Sequence, residues 1–218
     1  MLKNKKLLVL TSAVTLLPVL AGLLLWNYMP DSVPVHWNAA GEVDAYGSRA
    51  MVVFGLFGFL FAMHWLCIGA TMIDPKSREL GGKAVALVLW ILPVMSLVLA
   101  VIVYCTALGV EVSVNVVLPV ILGFLFVLIG NWMPKCPRNY TIGIKVPWAL
   151  DDDENWNATH RFAGKLWVAG GLLLMVTALM PKAMVCVLLP LLILMALLPM
   201  AYSFAWHKKN PQEKDPQE

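Results

Sequence analysis

Long apolar runs alternate with short polar segments along this chain of 218 residues. An α-helix needs roughly 20 predominantly apolar residues to cross a bilayer, and the runs are close to that length. The pattern therefore predicts an all-α membrane protein with a six-helix transmembrane bundle. The six predicted spans are residues 7–26, 51–73, 84–108, 112–132, 164–180 and 183–204.

The composition agrees with a chain that lies mostly in a membrane. Hydrophobic residues make up 60% of the sequence and charged residues 13%, whereas soluble domains carry roughly 25% charged residues. The first run is longer than the roughly 7–15 apolar residues of a signal-peptide core, so we expect it to remain as a span. We expect three regions: residues 1–73 hold spans one and two, residues 74–132 hold spans three and four, and residues 133–218 hold spans five and six and a polar C-terminal tail.

The basic residues fall on one side of the predicted spans. If both termini lie inside, fourteen of the sixteen Lys and Arg residues are on the inner side, and only Arg49 and Lys182 are outside. Cytoplasmic loops of membrane proteins carry such an excess. We therefore predict an N-in, C-in topology, with residues 27–50 as the outer loop and residues 133–163 as the inner loop. The lipid bilayer is the expected partner of the spans, and no nucleic-acid partner is needed to explain the basic residues.

The outer loop is polar, yet its sequence is typical of an ordered structure. Pro30 and Pro34 favour an extended chain, and the segment 38–41 resembles a tight turn in which Gly41 takes a positive φ. Ser48 stands where it would cap the second span. Apolar side chains alternate with other residues before the turn, which predicts a short strand or an extended lid; they are Val33, Val35 and Trp37.

The sequence leaves three roles open for the His36 side chain in the outer loop. It can form a hydrogen bond within the loop, recognise an external partner, or bind a metal together with Glu42 and Asp44. The spacing of these three residues matches no common metal site, so we expect no metal. The loop remains a candidate for the recognition of an external peptide or a lipid-derived ligand.

The inner loop combines an extended segment with the start of a helix. Residues 139–148 alternate in polarity, which favours an extended segment. Asp151 is a good N-cap, and Glu154 three residues later completes a capping box. The pattern then predicts an interfacial helix that runs into span five, with Trp156 at the depth of the lipid headgroups. Two further side chains of this helix are expected to face solvent or headgroups, or else to bind a partner: His160 and Arg161.

The spans contain almost no ionisable residue. His64 in span two is the clear case and has no acidic partner, which gives weak support for a proton pathway. The sequence contains no HExxH, GxSxG or nucleotide-binding motif, so we predict neither an enzyme nor a cofactor. Cys136 lies in the inner loop, where thiols stay reduced, and we expect no disulfide. One alternative is a membrane-embedded metalloenzyme built on His36 with Asp44, or on His160 with the acidic cluster before it.

Glycines within the spans indicate where helices pack closely, and two of the connections between spans are very short. Gly55 and Gly58 share one face of span two, and small residues on one face allow another helix to approach closely. Span five carries a second set, Gly164, Gly170 and Gly171. The connections at residues 109–111 and 181–182 are too short to do more than turn.

The order of the loops leaves a second function open. The outer loop follows span one and the inner loop follows span four, so the chain could consist of two inverted halves of three spans each. A small transporter is therefore the alternative function. It requires a polar cavity near the middle of the membrane, lined by His64 and by the hydroxyls of Thr71, Ser96 and Thr106.

Both loops resemble a known family. The outer loop has the pattern P-x-x-[IV]-P-x-H-[WF]-N-x-x-G-x-x-D at Pro30, Val33, Pro34, His36, Trp37, Asn38, Gly41 and Asp44. The second block matches at Gly130, Asn131, Met133, Pro134, Pro137, Asn139, Gly143, Pro147, Trp148, Trp156, Thr159, His160, Arg161 and Gly164. These residues resemble the SdpI-type immunity proteins of bacteria, whose six-span layout is similar over nearly the whole chain.

The resemblance implies a multi-pass protein of the bacterial cytoplasmic membrane. It implies protection from a secreted peptide toxin outside and the retention of a transcriptional repressor inside. The candidate ligand-binding residues of the outer loop are Pro34, His36, Trp37, Asn38, Gly41 and Asp44. The candidate partner-binding residues of the inner loop are Asn139, Gly143, Lys145, Pro147, Trp148, Trp156, His160 and Arg161.

Overall fold

The computed structural model of the protein describes residues 5–76 and 82–210. This part of the chain is mainly helical, and six of its helices are long and apolar enough to cross a membrane. The predicted all-α membrane fold is therefore confirmed. The predicted C-terminal tail beyond residue 210 lies outside the described residues, as do residues 1–4 and 77–81.

The long helices follow the six predicted spans. Their bounds are Lys5–Leu24 for α1, Phe57–Ile73 for α2, Gly82–Ala107 for α3, Val114–Trp132 for α4, Asp153–Val176 for α6 and Met184–Lys209 for α7. The π-helical segment Met51–Leu56 leads into α2, and Pro147–Leu150 forms a single-turn helix, α5. Helix α6 begins well before residue 164, the predicted start of span five, because it includes the helix that was predicted in the inner loop.

One small sheet is present among the described residues. It is an antiparallel hairpin in the outer loop, made of β1, Ser32–Trp37, and β2, Val43–Ser48. By its internal contacts the chain divides into two compact units, Met1–Leu118 and Pro119–Glu218.

The first unit packs α1, α2 and α3 together around Tyr104. The Tyr104 hydroxyl donates a hydrogen bond to the carbonyl oxygen of Pro18 at 2.8 Å, and its ring centroid lies 5.4 Å from that of Phe57. Gly22 provides the necessary space, because a Cβ at that position would lie 2.5 Å from the hydroxyl oxygen. A buried hydroxyl within a membrane needs such a partner inside the protein.

The second unit contains two glycine pairs that bring α4 and α6 together. A Cβ at Gly123 would lie 2.5 Å from the carbonyl oxygen of Gly171, and a Cβ at Gly130 would lie 2.7 Å from that of Gly164. The glycines are seven residues apart on each helix, so the two helices run antiparallel along a shared face. Small residues on facing helices permit this close approach. The packing role expected for the glycines of span five is confirmed.

The same expectation for span two is wrong. A Cβ at Gly58 would meet nothing within 4 Å, and a Cβ at Gly55 would meet only Met51 of the same segment, at 3.7 Å. The chain is π-helical from Met51 to Leu56, which changes the face on which Gly55 lies. Phe54 and Phe59 beside these glycines are exposed, so no described helix packs on this part of the surface.

We predict that Gly171→Ala destabilises the protein and that Gly58→Ala does not. The added methyl group at Gly171 meets a backbone carbonyl that cannot move independently, and overpacking of this kind costs about 1–3 kcal/mol. The measurement is thermal unfolding of the detergent-solubilised protein followed by circular dichroism. Equal unfolding temperatures for the two variants would show that the close approach of α4 and α6 contributes little to stability.

Candidate functional site

The outer loop is built on a tight turn between β1 and β2. The Asn38 carboxamide oxygen accepts hydrogen bonds from the backbone N–H groups of Ala40 at 2.9 Å and Glu42 at 3.0 Å. Gly41 adopts a φ of 83°, a region that favours glycine. Ser48 Oγ accepts from the Met51 N–H at 3.2 Å, where the second span begins. The predicted strand, the turn with Gly41 and the contact of Ser48 are confirmed.

Two polar side chains fix this hairpin to the helices of the first unit. Arg49 donates to the carbonyl oxygen of Trp26 at 2.6 Å, lies over the Trp26 ring and forms an ion pair with Asp31. The Asn115 carboxamide, at the start of α4, donates to the carbonyl oxygen of Ala39 in the turn at 3.2 Å. Sequence reasoning gave neither residue a role in the site. The available signal was that each is an isolated polar residue beside a span.

His36 and Asp44 form the exposed pair of the hairpin. His36 Nδ1 lies 2.6 Å from an Asp44 carboxylate oxygen, and the two side chains are 67% and 42% exposed. The expected hydrogen bond of His36 within the loop is thus confirmed. Across the described residues no three His, Cys, Asp or Glu side chains converge as a metal site would require. The pair presents the imidazole Nε2 and a carboxylate to solvent.

A pocket of about 420 Å³ lies between the hairpin and the connection from α3 to α4. Trp37, Gly41 and Val43 line one side, and residues 109–113 line the other. Residues 109–111 turn the chain as expected, and they also line this pocket. The reason is that the turn of the hairpin lies beside this connection, so even a short segment completes a concavity.

The candidate residues of the outer loop therefore have different positions. Trp37 and Gly41 line the pocket, while His36 and Asp44 stand on the exposed side of the hairpin. Two others belong to the framework: Pro34, which is buried in β1, and Asn38, which builds the turn.

The inner loop folds around the side chain of Asn139. Its carboxamide oxygen accepts from the N–H groups of Thr141 at 2.9 Å and Ile142 at 2.6 Å. Its NH₂ group donates to the carbonyl oxygens of Pro137 at 2.8 Å and Ile142 at 3.0 Å. One buried amide thereby satisfies backbone groups that have no partner in a regular element, and it bends the chain sharply.

Trp156 and His160 of α6 lie beneath this bend. Trp156 Nε1–H donates to the carbonyl oxygen of Cys136 at 2.9 Å, and its ring is stacked on His160 with centroids 4.0 Å apart. His160 Nε2 accepts from the Ile144 N–H at 3.1 Å, and Nδ1 donates to the Trp156 carbonyl at 2.8 Å. Because Nε2 accepts, the ring is neutral and carries its proton on Nδ1.

Two expectations for these side chains are wrong. Trp156 and His160 are each only 1% exposed, whereas the sequence pattern predicted headgroups or solvent around them. The physical reason is that residues 136–144 cover this face of α6. Gly143 makes the cover possible: it has a φ of 112°, and a Cβ there would collide with His160 Nε2. Arg161 is exposed as expected.

The helix start and the extended segment also require correction. Asp152, not Asp151, caps α6, with its carboxylate accepting from the N–H groups of Glu154 at 2.8 Å and Asn155 at 3.2 Å. Residues 139–146 are bends and irregular chain rather than an extended segment, and Pro147 begins α5. Proline favours the first position of a helix, and the extra turn displaces the cap by one residue. As predicted, the helix that starts here continues into span five.

A buried polar network joins α6 to α7 and was not predicted. The Ser203 hydroxyl donates to the Asn155 carboxamide oxygen at 2.6 Å, and the Thr159 hydroxyl donates to the same oxygen at 2.9 Å. The Asn155 NH₂ group donates to the Ser203 carbonyl at 3.1 Å. All three side chains are fully buried. Ser203, a small polar residue in an apolar run, was the available signal.

The candidate partner-binding residues of the inner loop separate into two groups. Asn139, Trp156 and His160 are buried and hold the loop together. The exposed group consists of Gly143, Lys145, Pro147 and Arg161, with Trp148 half-buried. Trp148 packs against Phe204 and His207 of α7, with ring centroids at 5.2 and 6.4 Å.

The reactivity of the Cys136 thiol tests whether Asn139 holds the inner loop in its folded form. This thiol is buried, and burial raises its pKa to about 12, against a smaller lowering by the Asn139 hydrogen bond. We predict that in a chain whose other three cysteines are replaced by Ser, Cys136 reacts slowly with iodoacetamide. Asn139→Ala opens the bend, returns the thiol pKa towards its usual range and accelerates alkylation at pH 8 by at least tenfold, about the effect of one pKa unit. The exposed substitution Lys145→Ala is the control, and equal rates in the two variants would contradict the role of Asn139.

Comparison with known proteins finds similarity in the regions that contain both loops. A family model described as the SdpI/YfhL protein family matches residues 135–203, and a domain of unknown function (DUF1648) matches residues 13–61. The Immunity protein SdpI of Bacillus subtilis (strain 168) is 23% identical over 206 residues, which are 92% of this chain and 96% of that protein. No solved structure matches the chain.

The two matched regions contain the hairpin and the folded inner loop with α6, and together they cover more than half of the chain. The similarity to the immunity protein extends over 92% of a chain that has six candidate membrane spans among its described residues. The chain is therefore a multi-pass membrane protein that belongs to the SdpI-type family.

Proposed function

We propose that this protein protects the bacterium that carries it from a secreted toxic peptide, and that the outer loop meets the peptide. The cytoplasmic membrane of the bacterium is the proposed location. Similarity to an immunity protein along nearly its whole length supports the protective role. The observation that carries the role of the outer loop is a hairpin with fixed ends that exposes His36, Asp44 and Tyr46.

The construction of the hairpin supports recognition because its backbone is set before any partner arrives. Arg49 holds its base and Asn115 holds its turn, while Val33 is fully buried beneath it. A surface that is already ordered loses little conformational freedom when it binds. The exposed His36–Asp44 pair then presents polar groups to a peptide in a fixed arrangement.

The inner loop is the proposed contact for a cytoplasmic regulator, such as a transcriptional repressor. Its exposed side chains Lys145 and Arg161 carry positive charge, and the buried core around Asn139 keeps them on an ordered backbone. This second role depends on the same predicted topology, with the inner loop on the cytoplasmic side.

A small transporter is the second candidate function, and one observation favours it. His64 Nε2 and Ser96 Oγ are buried in the first unit without a hydrogen-bond partner among the described residues. Unpaired polar groups in a membrane interior are costly and often mark a path for ions or polar molecules. His64→Leu separates the two functions, because it should abolish transport and leave protection by the outer loop intact.

The protective role is tested by survival of a bacterial strain from which the gene has been deleted. The strain receives the wild-type gene or the His36→Ala, Asp44→Ala double variant, and each is challenged with a panel of secreted antimicrobial peptides. We expect the wild type to restore growth against at least one peptide and the double variant to grow no better than the deletion strain. The pair is exposed, and such pairs contribute at most about 1 kcal/mol to stability, so the double variant should still fold.

The matched control is the Lys145→Ala, Arg161→Ala double variant, which changes two exposed residues of the inner loop. It should retain protection, and immunoblots of membranes should show equal amounts of all variants. Wild-type protein that protects against no peptide would refute the protective role. Full protection by the outer-loop double variant would remove His36 and Asp44 from recognition.

A further inference from the structure

The pocket beside the hairpin is a cavity to which the matched families assign no role. We propose that it receives an apolar side chain of a cationic peptide segment, with the positive charge of that segment placed against Glu111. This inference rests on the proposed protective function and names the chemistry of the peptide that the outer loop recognises.

The size and walls of the pocket fit one large apolar side chain. Its volume of about 420 Å³ lies within the roughly 300–1,000 Å³ of small-ligand pockets. Trp37 and Val43 form the hairpin wall, and Val110 and Val112 form the opposite wall. Removing such a side chain from water is favourable, so the walls alone provide attraction for it.

Gly41 and Gly109 keep two sides of the pocket free of side chains. Their φ angles are 83° and 81°, values that residues with a Cβ rarely adopt. The Asn115 carboxamide lies against Gly41, about 3.0 Å from where a Cβ would stand. The same contact that fixes the hairpin therefore also fixes one border of the pocket.

Charge around the pocket is negative. Residues 25–50 and 108–113 contain four carboxylates, and Arg49 is their single Lys or Arg. Arg49 is already paired with Asp31. The remaining three are Glu42, Asp44 and Glu111, and of these Glu111 lines the pocket.

The partial charges at the ends of α3 and α4 do not cancel the negative charge around the pocket. The C-terminus of α3 carries a partial negative charge and the N-terminus of α4 a partial positive charge, and both helices end at residues 107–114. Their effects oppose each other there. No hydrogen bond or ion pair of the Glu111 side chain is present among the described residues, so its carboxylate is available to a cation.

A cationic peptide with an apolar side chain is complementary to both the apolar walls of the pocket and the Glu111 carboxylate. Its apolar group fills the space between Trp37 and Val110, and a Lys, Arg or N-terminal ammonium group pairs with Glu111. An apolar lipid chain would use only the walls, and an acidic peptide would be repelled. These other occupants are distinguished by the experiment.

The test measures binding to the full-length protein in nanodiscs of neutral phosphatidylcholine by isothermal titration calorimetry. The probes are three tripeptide amides with acetylated N-termini, Lys-Leu-Trp, Gln-Leu-Trp and Glu-Leu-Trp, which differ only in charge. We expect the lysine peptide to bind most tightly and its affinity to fall as salt is raised, since salt screens charges. Equal binding of all three probes would overturn the proposal in favour of a nonspecific apolar groove.

Two pairs of variants test the position of the site. Glu111→Gln should weaken binding of the lysine peptide about three- to tenfold, whereas Glu42→Gln changes the net charge equally outside the pocket and should have little effect. Val110→Lys should abolish binding, and Tyr28→Lys, which lies outside the pocket lining, should not. Val110 and Tyr28 are 55% and 76% exposed, so both substitutions should leave the fold intact. Equal losses within either pair would overturn the position of the site.

The survival assay separates this inference from the proposed function. If the wild type protects and Val110→Lys protects equally well, the pocket has no part in protection and the inference fails, while the protective function stands. If the wild type protects against no peptide, the proposed function fails. The binding measurement then decides alone whether the pocket prefers a cation with an apolar side chain.

Discussion

A polar backbone group that is buried in a bilayer, or inside a loop folded beside one, needs a partner within the protein, because neither environment offers water. Both loops of this protein are organised by that requirement. In the outer loop, Arg49 binds the carbonyl oxygens of Trp26 and Met29. In the inner loop, the amide of Asn139 and the ring of His160 bind backbone groups that no helix or strand pairs. The loops are therefore small folded structures, and their exposed side chains stand on an ordered backbone.

The features that depend on neighbouring residues could be predicted from the sequence. The length of each apolar run is sufficient to identify a span, since the thickness of the bilayer sets the length of the helix. The turn at Gly41 and the contact of Ser48 with Met51 involve residues close in sequence. Composition and local patterns therefore predicted the six helices, their order, and the first strand and the turn of the hairpin; the second strand was not predicted.

The features that depend on distant residues could not be predicted in this way. Trp156 and His160 occupy positions typical of a membrane interface, and nothing local indicates that residues 136–144 fold over them. Asp152 replaces Asp151 as the cap because α5 adds a turn before the helix. The pocket likewise exists only because the turn of the hairpin lies beside the connection from α3 to α4. In each case the missing information is a contact between segments.

Different residues of the hairpin anchor it to the helices and face outwards. Arg49, Asn115 and Gly41 determine its shape, whereas His36 and Tyr46 are exposed. Substitutions at exposed positions usually change stability by no more than about 0.5 kcal/mol. Such a scaffold can acquire a new binding preference by single mutations without losing its fold. Related chains would then differ first at outward positions that the shared loop pattern does not fix, such as Tyr46, and last at the anchors.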